Sequence, residues 1–335
     1  MKTYSIGILG ATGAVGREMM KILSERRFPA GSIRLFASER SAGKIMTFMG
    51  NEVTLENADG ADFSGLDFVL GAVSSDLAKK FAPKITSSGA IFIDNSSAFR
   101  SDESVPLVIP EINPEDVLSH SGIISNPNCS TIITLVAANA LCRLSPIKAM
   151  IVSTYQAVSG AGEGGIRELA EQNASLAGGE PTFCRVFPHR IAENLIPFIG
   201  SPLSDGYTTE ERKMQSEGRK ILHLPGLSVT CTCVRVPIVR SHSVSVSVFT
   251  EDRITVEQAK AAFSSAEGCR LCDGKDYPMP LFASGGDTVL VGRVREDLTR
   301  ENGIAFFCCG DQLRKGAATN AVQIVELLIK NALEA

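Results

Sequence analysis

No stretch of this 335-residue chain is apolar for long enough to span a bilayer, which sets aside the membrane-spanning classes. Charge of either sign is not in excess. With 33 Lys and Arg against 37 Asp and Glu the net charge is −4, so no electrostatic case exists for general nucleic-acid or membrane-surface binding. Internal repeats and low-complexity tracts are absent, which excludes solenoids and arrays. The chain moves from Met1-Lys-Thr directly into an apolar run at Tyr4, leaving no room for a signal or transit peptide, so the expected location is cytoplasmic. Histidine is scarce, with four residues, and any proton shuttle of that type comes from a short list. What is present is ordinary for a soluble globular protein: 44% hydrophobic and 21% charged residues, in a length that suggests two domains.

Nine cysteines without a secretory signal read as reduced thiols. Cys231-x-Cys233 and Cys269-x-x-Cys272 have spacing compatible with a four-sulfur zinc site. Cys231 and Cys233 sit in an alternating Val/Thr/Cys run, where they more simply pack on one face of a strand. Cys308 and Cys309 are adjacent and point to opposite faces. No metal is expected.

Along the first half, apolar runs at 4–10, 32–38, 67–73 and 90–94 alternate with helical segments at 14–26 and 76–86, the latter with Pro83 as a kink or break. Strands separated by helical crossovers imply a parallel, doubly wound α/β sheet. After residue 129 the pattern changes to longer alternating strands at 149–154, 229–239, 242–251, 288–295 and 304–309. Helices are expected at 166–176, 209–221 and 256–263, with a long amphipathic one over 313–333. A mixed or antiparallel sheet is expected there.

Gly10-Ala-Thr-Gly13-Ala-Val-Gly16 follows the first strand and opens the first helix. Glycines in that setting let the backbone turn tightly, approach a pyrophosphate, and pack helix on sheet, with the pyrophosphate at the helix N-terminus. The G-x-x-G-x-x-G spacing differs from the commoner G-x-G-x-x-G, and the strand–helix context carries the dinucleotide reading. After the second strand come Ser38-Glu39-Arg40-Ser41-Ala-Gly-Lys44. Arg40, Ser41 and Lys44 suit a 2′-phosphate and favour NADP, whereas Glu39 is the acidic type that NAD selects.

Asn126-Pro-Asn128-Cys129-Ser-Thr131 places a single cysteine where a strand end and loop give way to an apolar helix. Helix N-termini favour thiolate, by about 0.3–1 kcal/mol and at most about 2, or roughly one and a half pKa units. From a free-thiol pKa near 8.5 that is insufficient alone, so a catalytic Cys129 needs a basic or cationic neighbour. A buried structural cysteine is the competing reading. A nucleophilic thiol beside a dinucleotide suggests hydride transfer to or from a thioester. His242 shares its strand face with Val244, Val246 and Val248, as a packed core histidine does. Its place at the strand's start, near Arg235 and Arg240, is equally compatible with a site.

The ordered series Gly10–Gly16, Arg40-Ser-Ala-Gly-Lys44, Asp94-Asn-Ser-Ser-Ala-Phe-Arg100, Val108-Ile-Pro-Glu-Ile-Asn113, Ser125–Thr131, Gln156-Ala-Val-Ser-Gly-Ala-Gly162, Glu210-Glu-Arg-Lys213, Arg235-Val-Pro, His242 and Leu313-Arg-Lys-Gly-Ala-Ala318 resembles the aspartate-semialdehyde dehydrogenases along nearly the whole chain. The resemblance implies a Rossmann-like nucleotide domain over 1–128 plus 313–335, and an α+β catalytic and dimerisation domain with a mixed sheet over 129–312. It implies NADPH-dependent reductive dephosphorylation of aspartyl phosphate to aspartate semialdehyde through a cysteine thioester. That reaction stands on the branch toward lysine, diaminopimelate, threonine and methionine. Cys129 is then the nucleophile, His242 the general acid/base, and Gln156 an orienting group for the acyl chain. Arg235 grips the substrate carboxylate, Glu210 meets its amine, Asn128 adjoins the substrate, and Arg100 and Lys213 bind phosphate. Thr12, Gly13, Ala14, Val15, Arg40, Ser41, Ser159, Gly160 and Gln312 meet the cofactor, with Gly10 and Gly16. A homodimer is expected by analogy.

Two positions depart from the family pattern: Gln312 stands where Asn is usual, and Glu39 where a small residue is. Taken singly, Glu210 and Lys213 also read as a surface helix ion pair, Arg100 as a loop cation and Gln156 as a strand-end amide. The alternatives are an N-acetyl-glutamyl-phosphate reductase, a catalytically silent NADP-binding paralogue, and a zinc-stabilised binding module. Asn128 and Ser130 around Cys129, in place of Gly and an aromatic, weigh against the first.

Overall fold

The computed structural model describes residues Lys2 to Glu334, and the chain divides into two compact units, Met1–Asn128 with Ala317–Ala335, and Cys129–Gly316. Among the described residues no helix is long and apolar enough to cross a membrane.

In chain order the first unit contains β1 (Tyr4–Leu9), α1 (Ala14–Glu25), β2 (Ala30–Ala37), β3 (Ile45–Phe48), β4 (Asn51–Asn57), β5 (Phe68–Gly71), α2 (Ser75–Ser87), β6 (Ile91–Asp94) and β7 (Ile123–Ser125). Their sheet runs β3-β4-β2-β1-β5-β6-β7 and is parallel except for the β3–β4 hairpin. Strand alternation feeds two cores. Ile6, Ile8, Phe68, Leu70 and Ile93 pack with Met19 and Ile22 of α1 and with Val322 and Val325 of the C-terminal helix (Thr319–Glu334). Leu9, Val69 and Phe92 point the other way, against Ala78, Phe81 and Ile85 of α2. This is the doubly wound arrangement the crossover pattern implies.

The second unit contains α3 (Cys129–Cys142), β8 (Ile147–Gln156), α4 (Gly162–Ala177), α5 (Thr209–Ile221), β9 (Ser228–Arg235), β10 (His242–Thr250), α6 (Val256–Ser265), β11 (Cys269–Cys272), α7 (Pro280–Ala283), β12 (Val289–Glu296) and β13 (Gly303–Gly310). The six-stranded sheet is mixed, ordered β11-β12-β13-β10-β8-β9, with β8–β9 and β11–β12 parallel and the other pairs antiparallel. Eleven of the fourteen residues of α3 are buried, as expected of a helix that is apolar all round.

Four local expectations change. The helix α2 continues through Pro83. Lys79 and Pro83 are both exposed, so the carbonyl that loses its donor lies on the solvent side. The strand expected to reach residue 239 ends at Arg235, before Pro237. The long C-terminal helix opens with a π turn, Arg314–Ala318, and becomes α-helical only at Thr319. The β3–β4 hairpin was not expected. Finally, the cysteine pairs lie on β9 and β11, opposite edges of the sheet and so roughly 24 Å apart at about 4.8 Å per strand, which rules out a shared metal.

Candidate active site

Three polar residues line up across adjacent strands at one end of the second sheet. Gln156 is paired with Arg235 in the parallel β8–β9 register. One step beyond the Ser243–Tyr155 pair, His242 comes alongside Gln156. Alternation gives all three the face occupied further along by Val152, Cys231, Val244 and Val246, all buried. That face is the one α3 packs on, and Cys129, half-buried, is the first residue of α3. Polar side chains that can act on a ligand thus gather on this face where the sheet meets the start of the helix, while further along it is lined mainly by Val and Cys.

His242 is fully buried, and burial followed by the charge of Arg235 pushes its pKa down to about 3, against an opposing pull from Glu210. Its Nδ1 accepts the backbone N–H of Ala157 at 3.0 Å, which puts the proton of the neutral ring on Nε2. Nε2 has no hydrogen-bond partner among the described residues. Beside it lies Gly160: a Cβ built there would stand 2.7 Å from Arg235 Nη1, 3.3 Å from His242 Cε1 and 3.4 Å from Nε2. The missing side chain is what keeps a gap open between the two groups.

Arg235 is buried, donates from Nη1 to the Ala157 carbonyl at 2.7 Å, and lies over the Phe187 ring. Burial lowers its pKa, while Cys129, Glu210 and Cys233 pull it back up. Arg235 is thus a cation near enough to Cys129 for the two charges to be felt. Ala157 O is its only hydrogen-bond acceptor among the described residues, which leaves Nε and Nη2 for a ligand carboxylate. Phe187 is held in turn through α4: Glu168 accepts from the N–H groups of Arg185, Val186 and Phe187, and Gln172 from those of Ile191 and Ala192.

Glu210 and Lys213 do form an i,i+3 ion pair at 2.7 Å, yet Glu210 is nearly buried and also accepts from Gln156 Nε2 at 3.3 Å. Gln156 is 2% exposed. Glu210 thus belongs to the same cluster as the strand-end row.

Ser159 and Gln312, expected at the cofactor, are bonded to each other and to the segment before His242. The Ser159 hydroxyl donates to Val239 O at 2.5 Å and accepts from Gln312 Nε2. Gln312 Oε1 accepts the Ser241 N–H at 2.8 Å. Both side chains are buried, with these polar groups engaged inside the fold.

In the first unit the glycines of the β1–α1 loop divide by task. Gly10 has φ +88°, and a Cβ there would stand 2.3 Å from Ala72 O; at Gly16 it would stand 2.4 Å from Gly10 O. At Gly13 the closest atom would be Gly10 O, at 3.4 Å, so nothing within the protein demands glycine there. The N-terminus of α1 has no side-chain cap and no acidic residue in its first turn. A close-approach glycine at a free helix N-terminus fits a pyrophosphate. Thr12, Ala14 and Val15 line this turn, each partly exposed. Beyond β2 a short 3-10 turn, Glu39–Ser41, carries Glu39 and Arg40 exposed and Ser41 half-buried, and Arg40 pairs with no carboxylate among the described residues.

Arg100 is buried and donates to the carbonyls of Asn126 (2.9 Å) and Asn95 (2.7 Å). Asn126 itself is bonded to Asn95, Ala317 O and Asn320. The loop ending at the buried Asn128 is thereby fixed from three directions. Sequence reasoning named Arg240 but assigned no part to Ala157, Asp311, Ser241 and Gly316. A Cβ at Gly316 would stand 3.1 Å from that of Cys129; its motif was visible, its contact was not.

Comparison with known proteins gives a consistent result. Residues 5–120 match the model described as semialdehyde dehydrogenase, NAD binding domain, and residues 139–315 that described as semialdehyde dehydrogenase, dimerisation domain. Aspartate-semialdehyde dehydrogenase of Aquifex aeolicus is 47% identical, over 98% of this chain and 99% of its own. That of Bacillus subtilis is 43% identical, over 97% of each. Among solved structures, aspartate semialdehyde dehydrogenase II of Vibrio cholerae, complexed with ASA, superposes with TM-score 0.97 at 44% identity, covering 98% of this chain and 99% of that one.

Proposed function

Because the chain belongs to the aspartate-semialdehyde dehydrogenase family, we propose that it interconverts L-aspartyl 4-phosphate and L-aspartate 4-semialdehyde with NADPH as reductant. The observation that carries this reading is the row of Gln156, Arg235 and His242 on the sheet face that α3 covers, with Cys129 opening that helix. The relatives favour it over N-acetyl-glutamyl-phosphate reductase, and the nearly buried Glu210 supports a substrate bearing a free amine.

Arg235 holds the α-carboxylate with its free edge, and Glu210 receives the α-amine, so the acyl carbon is delivered to the sulfur. The α3 N-terminus and the Arg235 charge favour the Cys129 thiolate. The sulfur lone pair forms the C–S bond, the acyl C–O bond breaks, and phosphate leaves with that electron pair. Lys213 and, by the family's pattern, Arg100 are the cations for the phosphate. NADPH, when bound, supplies the hydride that reduces the thioester. The C–S bond then breaks, releasing the aldehyde and restoring the thiolate. His242 presents Nε2–H to the carbonyl oxygen, where it steadies the negative charge and exchanges protons with it. Gln156, fixed by Thr154 and Glu210, orients the acyl chain.

The β1–α1 loop with Arg40 and Ser41 is the proposed NADP site. Gly160 borders the catalytic gap, where its small size serves substrate and cofactor alike. The matched dimerisation domain supports a homodimer. The test is steady-state reduction of NADP by aspartate semialdehyde with inorganic phosphate, repeated with NAD. Phosphate-dependent turnover preferring NADP is expected; no turnover with either cofactor refutes the reading.

A further inference from the structure

The general acid/base of a site needs its imidazole held in one orientation, and here the holding bond is Ala157 N–H to His242 Nδ1. The two ends of that bond sit on different segments. His242 opens β10 and follows Ser241; Ala157 follows the end of β8 and precedes Ser159 by two residues. One side chain grips both segments. Gln312 accepts the Ser241 N–H through Oε1 and donates to the Ser159 hydroxyl through Nε2.

Ser241 needs such a grip. Its φ is +74°, in the left-handed region that a non-glycine residue rarely adopts without support, and it is fully buried. Its hydroxyl meets that of Ser284 at 2.9 Å. The preceding residue is gripped from the same place: Arg240 Nε donates to Asp311 Oδ2 at 2.6 Å, an oxygen that also accepts the Gly285 N–H. Asp311 and Gln312 thus hold Arg240 and Ser241, two consecutive residues on two consecutive residues, immediately before His242. Ser159 is tied back into the same segment through Val239 O, to which both its hydroxyl and its N–H donate.

We infer that Gln312 is a positioning residue for His242, clamping the two segments that carry the His242–Ala157 hydrogen bond. The inference rests on the proposed acid/base role of His242. It also accounts for glutamine at this position, because an asparagine is one methylene shorter and reaches one partner only at the expense of the other. A direct nicotinamide contact would draw on the same amide groups.

The test uses the full-length enzyme and compares Gln312→Ala, Gln312→Asn and His242→Asn by kcat, by the dissociation constant for NADPH, and by ¹⁵N NMR of the His242 ring. For Gln312→Ala the expected result is a kcat lowered at least tenfold, NADPH binding within twofold of wild type, and a ring signal averaged between tautomers. Gln312→Asn should fall between wild type and alanine, and it serves as the readout if the alanine variant fails to fold. Wild-type kcat in Gln312→Asn, or weakened NADPH binding with kcat unchanged in either variant, would overturn the inference. If His242→Asn turns over like wild type, the acid/base reading itself fails; if it is inactive while Gln312→Ala is fully active, the clamp alone fails.

Discussion

The backbone N–H of Ala157 points at His242 Nδ1 from 3.0 Å, so the ring cannot take a proton on that nitrogen without surrendering a buried hydrogen bond. With burial and the Arg235 charge acting the same way, His242 is held neutral down to about pH 3. The ring therefore stays an Nε2–H donor across the physiological range. In the ligand-free protein its ¹⁵N signals should remain those of one neutral tautomer from pH 8 to pH 5. A titration with a midpoint near 6.5 would contradict this. The sign for stability follows: the unfolded ring binds a proton below its ordinary pKa and the folded one does not. Stability is lost as pH falls from about 6.5 toward 3, and His242→Gln should lessen that acid sensitivity.

Gly160→Ala separates the site from the scaffold. Gly160 is exposed and its φ is not in the left-handed region, so alanine suits the backbone. The added methyl stands 2.7 Å from Arg235 Nη1 and intrudes on His242. A loss of at least tenfold in kcat/KM for the semialdehyde is expected, with the melting temperature within about 2 °C of wild type. Unchanged kinetics would mean that substrate does not use this gap.

The nucleotide loop offers a paired test. At Gly16 a methyl group would meet the Gly10 carbonyl at 2.4 Å, so Gly16→Ala should destabilise the fold by roughly 1–3 kcal/mol. At Gly13 the same methyl is accommodated, so Gly13→Ala should melt like wild type while binding NADP at least tenfold more weakly. Calorimetry and cofactor titration on both variants distinguish the two roles. Equal cofactor affinity in Gly13→Ala would remove the pyrophosphate from this turn.

Much of this could be read in the chain, and the exceptions have physical causes. The start of α3 at Cys129 was legible because an apolar helix follows a short loop at once. The two-sided core of the first sheet followed from its βα alternation. The hairpin of β3 and β4 was hidden because its turn is Met49-Gly50, both at positive φ, and methionine there gives none of the Asn-Gly or Asp-Gly signal. The π turn at Arg314–Ala318 is composed of residues that also form ordinary helix. His242 looked like either a core or a site residue; it is fully buried on the valine face, yet its Nε2 has no hydrogen-bond partner among the described residues, which is what a site role requires. That Gln156, Arg235 and His242 form a row depends on strand register, which no single-strand pattern encodes. Gln312 was placed at the cofactor by resemblance; its bonds to Ser241 and Ser159 became visible only with the fold.

Cys129 is proposed to carry the acyl group. Wild type and Cys129→Ala should be mixed rapidly with aspartate semialdehyde and NADP in the absence of phosphate, with NADPH followed by absorbance and the quenched protein analysed by peptide mass spectrometry. Expected are a burst approaching one NADPH per subunit in wild type, an acyl adduct on Cys129, turnover restored by phosphate, and neither burst nor adduct in Cys129→Ala. A burst in the alanine variant, or an adduct on another residue, would contradict it.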